Sequence, residues 1–218
     1  MTNPFAVALS GADAASFQVP VLFVALSSGA SLPGTLSSLD NAVGGAISAA
    51  LHERDFRGSR DEILFLSGSG KGPRRVALIG TGGPPDGTHN LRRAAALAAR
   101  TAGKMGTGSL AFTGESFAPE QIEAIACGLH AGAWQYLDTR TPPPEDERKA
   151  PVASATICAP VTPDMQAALA TGNAIGAGMS LARTLGMTPG NICTPDFLAA
   201  AARDVATRYG MRYTELDR

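Results

Sequence analysis

The residues best spaced for chemistry in this 218-residue chain are the glycines of Gly80-Thr81-Gly82-Gly83-Pro-Pro-Asp-Gly87. They follow an apolar strand pattern and open a helical one. Backbone N–H groups in such a loop, with the helix N-terminus behind them, can cradle a phosphate. The spacing is not the G-x-G-x-x-G of dinucleotide sites, and no acidic residue falls where a ribose would need one. Pro84 and Pro85 also remove two N–H donors. A strand-to-helix turn is the plain reading of this loop, and an anion or nucleotide site (Gly80, Thr81, Gly82, Gly83, Gly87) the sharper one.

Other chemistry-bearing residues are scattered. Gly68-Ser-Gly70-Lys71-Gly72 lacks the first glycine and the Ser/Thr of a P-loop, so Lys71 reads as a solvated loop residue. His52, His89 and His130 form no H-x-x-x-H or H-E-x-x-H pair. His52 and His130 read as helix-surface or packing residues, and His89 falls at a helix start where capping explains it. Glu145-Asp146-Glu147 sits in a Pro-rich stretch with Arg148-Lys149 behind it, a solubilising surface. No G-x-S-x-G elbow marks a serine nucleophile. Cys127, Cys158 and Cys193 are odd in number and make no C-x-x-C pair, so neither a disulfide framework nor a zinc knuckle is suggested, and a reducing cytoplasm is the simplest setting. No catalytic residue and no metal ligand is assigned, and no cofactor is expected on this segment.

Hydrophobic residues make up 44% and charged residues 17%, so a packed core is expected rather than disorder. Net charge is −1 but unevenly placed. Residues 1–53 carry three acids and no Lys or Arg, whereas 54–104 carry ten bases against four acids. That basic middle could attract nucleic acid, although no aromatic stacking platform accompanies it and a solvated surface is the simpler reading. No basic n-region opens the chain and no apolar run approaches 18 residues, so neither a signal peptide nor a membrane partner is expected.

Periodicity supplies the elements that would position these residues. Strands are expected at 4–9 and 17–26, the second apolar enough to be buried on both faces, with Pro20 at an edge or a start. Leu36, Leu39, Val43, Ile47 and Leu51 predict a helix over 35–54. Strands at 61–66 and 75–79 form a hairpin. A helix at 89–103, a strand at 110–113 and a helix at 118–136 follow, the last facing Ile122, Ile125, Leu129 and Ala133 inward. An exposed loop at 141–149, a strand at 152–157 and a long helix from Pro163 to about Leu185 come next. Pro189-Gly190-Asn191 turns the chain, and Thr194 caps a helix with Pro195 at its first position. Leu198, Ala201, Ala202 and Val205 line one face of it, Gly210 ends it, and 211–216 reads as a strand. The fold class is α/β, a mixed, mostly parallel sheet flanked by helices. The expected domains are 1–160, a linker helix at 161–187, and 188–218 as the start of a second, incomplete α/β domain. A terminal strand with exposed apolar edges favours truncation or a missing partner segment.

The segment from Ala182 to Pro195 resembles the junction of the leucine (cytosol) aminopeptidase family of metallopeptidases. Members carry Ala-Arg-Asp-Leu, Asn-x-Pro-Pro-Asn and then Thr-Pro. Here Ala182-Arg183-Thr184-Leu185, Met187-Thr-Pro189-Gly190-Asn191 and Thr194-Pro195 match, departing at Thr184, Met187 and Gly190. Phe56-Arg57-Gly58 is similar to the family's Phe-Lys-Gly. Val76-Ala-Leu-Ile-Gly80-Thr-Gly82 with Leu91-Arg92-Arg93-Ala94-Ala95 is similar to its strand–glycine–helix unit, and Glu123-Ala124, Gly128-Leu129 and Tyr136 to its next helix.

The resemblance implies a parent that releases N-terminal residues from peptides, using two divalent metal ions (zinc, manganese or magnesium), and that assembles as a homo-oligomer, a hexamer. It implies that the catalytic motifs lie elsewhere: the family's Thr-Phe-Asp segment and Asn-Thr-Asp-Ala-Glu-Gly-Arg are absent from these 218 residues. This chain alone is then expected to be inactive. The family's N-terminal domain resembles macro domains, which leaves ADP-ribose or nucleotide binding at Gly80–Gly87 as an alternative, and DNA binding through 54–104 as a third.

Overall fold

The computed structural model describes residues 5–68, 72–83 and 87–216. The chain divides into two compact units, residues 1–177 and 178–218. The first is built on six strands: β1 (Ala6–Ser10), β2 (Leu22–Ser27), β3 (Ile63–Ser67), β4 (Arg75–Gly82), β5 (Thr107–Thr113) and β6 (Ala150–Cys158). Their order across the sheet is β1-β6-β5-β2-β4-β3. Every neighbouring pair is parallel except β3–β4. The expected hairpin is therefore present, and its Ser69, Gly70 and Lys71 lie outside the described residues.

Parallel strands buried on both faces read as continuous apolar runs, and β2 and β4 do so because alternate side chains serve two cores. Phe23, Ala25, Ala77, Ile79, Leu110 and Phe112 face one layer, made by α3 (Thr88–Met105) and α4 (Pro119–Ala133). Leu22, Val24, Leu26, Val76 and Leu78 face the other, made by α1 (Ser37–Ala42), α2 (Ala46–His52) and Phe56. The Ala-rich composition shows its purpose on the first layer. Ala94, Ala95, Ala98, Ala99 and Ala102 of α3 are buried, and a Cβ at Gly128 or Gly132 of α4 would sit 2.9 or 2.8 Å from a carbonyl carbon of α3. The two helices approach that closely because these positions carry no side chain.

Three expectations need correction. The helix over 35–54 is two short helices, because Gly44 and Gly45 both take positive φ, +71° and +79°. The strand at 17–26 begins only at Leu22: Pro20 cannot donate to a ladder, and Asp13 caps a 3-10 turn at Ala14–Ser16 by accepting from the Ala15 N–H. Residues 211–216 form no strand, since no neighbouring strand supplies a ladder.

The second unit contains the C-terminal part of α5 (Pro163–Met187), α6 (Pro195–Tyr209) and that tail. The tail is held on α6 instead: the Tyr213 hydroxyl donates to the Ala199 carbonyl (3.1 Å) and Arg203 pairs with Glu215 (2.5 Å). Thr194 caps α6 as expected, its hydroxyl accepting from the Phe197 N–H at 3.3 Å. Thr194→Ala is expected to cost about 1 kcal/mol. Hydrogen exchange at the first-turn amides of α6 measures it, and unchanged protection would show the cap to be idle.

Candidate functional site

The first unit has a topological switch point. β2 leads by way of α1, α2 and β3 to β4 on one side, yet β5, which follows β4, lies on the other side of β2. The loops leaving β2 and β5 therefore diverge to opposite faces of the sheet. A crevice opens beyond the carboxyl ends of the strands at such a point, the usual ligand position in open α/β sheets. Here it is about 160 Å³ in volume, lined by Ser27 at the end of β2, Ala30 after it, Thr81 of β4, Glu115 and Phe117 after β5, and Gln121 of α4.

Each wall has a local cause. Thr81 is buried, and its hydroxyl donates to the Leu26 carbonyl (3.3 Å). Phe117 stacks on Phe112 with ring centroids 6.2 Å apart. It lies against Gly114, where a Cβ would come within 2.9 Å of its ring. The Gln121 side chain accepts from the Ala118 N–H (2.8 Å), organising the first turn of α4. Thr35 donates to the Glu115 carbonyl (2.9 Å) and so ties the β2–α1 segment to the β5–α4 loop. The strand ends alone do not reveal Ser27, Glu115 or Gln121, because only the strand order brings the loops after β2 and β5 together.

Of the expected loop residues, only Thr81 lines this crevice. Gly80 and Gly82 face the segment Gly58–Glu62: the Gly80 N–H donates to Glu62 (2.8 Å) and the Gly82 N–H to Gly58 (3.0 Å). Two of the loop's donors are thus already engaged. Gly83 has open space around it, Gly87 is the N-cap of α3, and Pro84, Pro85 and Asp86 lie outside the described residues. Phe56-Arg57-Gly58 forms the other side of this seam. Phe56 fills the α1/α2 core, Gly58 takes φ +70° against Ser27, and the Glu62 carboxylate accepts from the Arg57 and Ser59 N–H groups (3.1 and 2.8 Å).

The remaining candidates are dispersed. His52 is exposed beside Glu53, and His89 is exposed at the second position of α3, whose Gly87 N-cap offers no side-chain bond. His130 is buried. Burial pushes the Cys127 thiol up and the Cys158 thiol up to about 12, so neither is a ready nucleophile. Glu145–Glu147 is an exposed 3-10 turn. In the basic segment, the Arg93 guanidinium hydrogen-bonds to Asp61 and holds its carboxyl below the usual carboxylate range, with desolvation opposing and Arg60 and Arg100 adding to the effect. Among the described residues no group of three or more His, Cys, Asp or Glu could hold a metal ion. Nor is any described helix long and apolar enough to cross a membrane.

Comparison with known proteins decides the family. Residues 21–143 match the cytosol aminopeptidase family, N-terminal domain. The chain belongs to the cytosol aminopeptidase family. A probable cytosol aminopeptidase of a Synechococcus species is 32% identical over 215 residues, covering 96% of this chain and 42% of that one. Another, from Alkalilimnicola ehrlichii, is 31% identical over 197 residues, 83% of this chain and 38% of that one. The chain thus spans about two fifths of the length of these relatives. A tomato leucine aminopeptidase mutant shares the fold with a TM-score of 0.76 at 23% identity, over 94% of this chain and 43% of that one. The bottromycin maturation enzyme BotP in complex with Mn does so with 0.63 at 22%, over 88% and 37%. The expected fold class, α/β with a mixed, mostly parallel sheet flanked by helices, is the one observed, with six strands in the sheet.

Proposed function

We propose that this chain is the non-catalytic N-terminal portion of a metal-dependent leucyl aminopeptidase, a cytoplasmic hydrolase that releases N-terminal residues from peptides and assembles as a homo-oligomer. The observation that carries this reading is the match over 21–143 to the N-terminal domain of the family, extended by relatives that align over most of the chain. Residues 188–218 are taken as the opening of the peptidase domain. In support, α6 and its tail leave Phe197, Leu198, Met211 and Leu216 exposed, and an apolar groove of about 300 Å³ runs between Leu181, Leu185, Leu198 and Val205. Such a unit suits packing against further protein.

Two divalent metal ions would supply the activated water and polarise the peptide carbonyl. The described residues do not form a site for them, so no catalytic step is assigned to this chain. Its part is to contribute to assembly and to access to the active site. The nucleotide-module alternative has less support, because the Gly80 and Gly82 N–H groups are committed to backbone carbonyls.

Two assays test the proposal. Residues 1–218 with manganese or zinc are expected to release no product from leucine p-nitroanilide. Turnover that survives a control for contaminating peptidases would overturn the non-catalytic assignment. A chimera joining residues 1–218 to the remaining part of the Synechococcus relative is expected to fold, assemble and release leucine. A folded but inactive and unassembled chimera would overturn the domain equivalence.

A further inference from the structure

His130 is a buried, titratable side chain that the aminopeptidase reading does not use. It lies near the end of α4, where α5 and β1 meet. Its Nε2 is 3.0 Å from the Asn173 Oδ1 of α5, and the Asn173 Nδ2 donates to the Val7 carbonyl of β1 at 3.1 Å. The Val7 carbonyl can only accept, so it fixes the Asn173 amide with Nδ2 towards β1 and Oδ1 towards the imidazole. The neutral ring must then carry its hydrogen on Nε2, leaving Nδ1 as the nitrogen that takes up a proton. Phe5 stands at right angles to the ring with centroids 5.0 Å apart. On the remaining side Gly176 of α5 lies against the imidazole, where a Cβ would be 2.5 Å from Cγ. One turn earlier Gly172 packs on Glu123 and Ala126 of α4 just as closely. The α5 glycines therefore bring its backbone directly onto α4, against backbone and Ala126 at Gly172 and against the His130 ring at Gly176.

We propose that His130, Asn173 and the Val7 carbonyl form a pH-sensitive latch. It holds α5 and β1 on α4 while the imidazole is neutral; on protonation the Nε2–H still donates to Asn173, but the ring becomes a charge buried in this seam, and relief of that burial favours release of α5 and β1. Among the described residues, only burial and the Asn173 contact act on the imidazole, and no countercharge is placed to receive an imidazolium. β1 (Ala6–Ser10) has no ionisable side chain, and neither do residues 169–177 of α5. On α4 the neighbour one turn back is Cys127, whose buried thiol is neutral; Glu123 and, from α3, Arg92 act on that thiol. Burial lowers the His130 pKa from its ordinary 6.5, opposed by the Asn173 contact. A folded value below the unfolded one means that the latch is at full strength above about pH 6.5 and weakens as pH falls through that value, where the unfolded imidazole gains its proton first. α5 continues beyond residue 177 into the second unit, so the latch acts on the helix through which the two units are joined.

Hydrogen exchange of the full chain at pH 7.5 and pH 5.0, corrected for intrinsic rates, tests the proposal. Amides of β1 and of residues 170–177 are expected to lose protection severalfold at the lower pH, while β2 and β4 keep theirs. His130→Phe is expected to abolish the response. Because that variant could fold poorly, Asn173→Asp provides a second reading: a carboxylate beside the ring is expected to raise the imidazole pKa seen by NMR and, by giving the imidazolium a countercharge, to diminish the loss of protection between pH 7.5 and pH 5.0. A double variant of the exposed histidines, His52→Gln with His89→Gln, is expected to respond as the wild type does. Equal protection at both pH values would overturn the latch, as would a response that persists undiminished in folded His130→Phe.

Discussion

Gly80→Val is expected to leave no cooperatively folded protein at room temperature. Gly80 lies on β4, a strand with neighbours on both sides, and its backbone exchanges hydrogen bonds with the segment 59–62: its N–H donates to Glu62 and its carbonyl accepts from Asp61 (3.2 Å). A Cβ at this position would overlap the Ser59 carbonyl oxygen and lie 2.8 Å from the carbonyl carbons of Gly58 and Ser59. These are backbone atoms and cannot rotate away. Nor can the segment retreat, because Gly58 is itself pressed on Ser27 with φ +70°, so that two glycines interlock. Overpacking usually costs about 1–3 kcal/mol. A clash with backbone on a strand paired on both sides is expected to exceed about 4 kcal/mol, a large part of the roughly 5–15 kcal/mol of an ordinary domain. Urea unfolding followed by circular dichroism reads this directly. Gly83→Ala, which meets nothing within 4 Å, is the control and is expected to stay within about 0.5 kcal/mol of the wild type. A Gly80→Val protein with an unchanged midpoint would show that β4 and the 58–62 segment do not pack in this way.

Asp40→Ala has the second largest expected effect. Asp40 is a buried carboxylate on α1 that serves the start of α2. Its Oδ1 accepts from the Ile47 and Ser48 N–H groups (2.9 and 3.1 Å) and its Oδ2 from the Ser48 hydroxyl (2.5 Å). The residue at the N-cap of α2 is Gly45, which has no side chain to do this. Removing the carboxylate strands those donors in the α1/α2 core, with a loss of about 3 kcal/mol. Asp40→Asn keeps an acceptor for both N–H groups and is expected to recover more than half of it. An Asp40→Asn protein as unstable as Asp40→Ala would show that charge, and not the acceptor geometry, carries the contribution.

Asp40 also shows where reading the chain alone runs out. Leu36, Leu39, Val43, Ile47 and Leu51 keep a helical period through 35–54, and the period continues across the break at Gly44–Gly45. Hydrophobic spacing records which face is buried, and both short helices bury the same face. What it does not record is that a carboxylate on the first caps the second from seven residues away. The tail at 211–216 is the opposite case. Its alternation is strand-like, but a strand exists only where another offers a ladder, so its local pattern could not decide the matter.

The sequence by itself determined the alternation of strands and helices, the doubly buried β2, the β3–β4 hairpin, the Thr194 cap, and, through the order of its short motifs, the aminopeptidase family. These depend on neighbours in the chain and on composition, which local propensity and periodicity report. Only the tertiary structure decided that β5 returns to the far side of β2 and so opens the crevice beside Thr81. The same holds for the use of the Gly80 and Gly82 N–H groups as a seam with residues 58–62, and for the placing of His130 between Asn173 and the backbone of Gly176. Each is a contact between segments tens of residues apart. Its energy comes from close approach and from satisfying buried polar groups, and no periodicity along one segment encodes which distant segment will supply the partner.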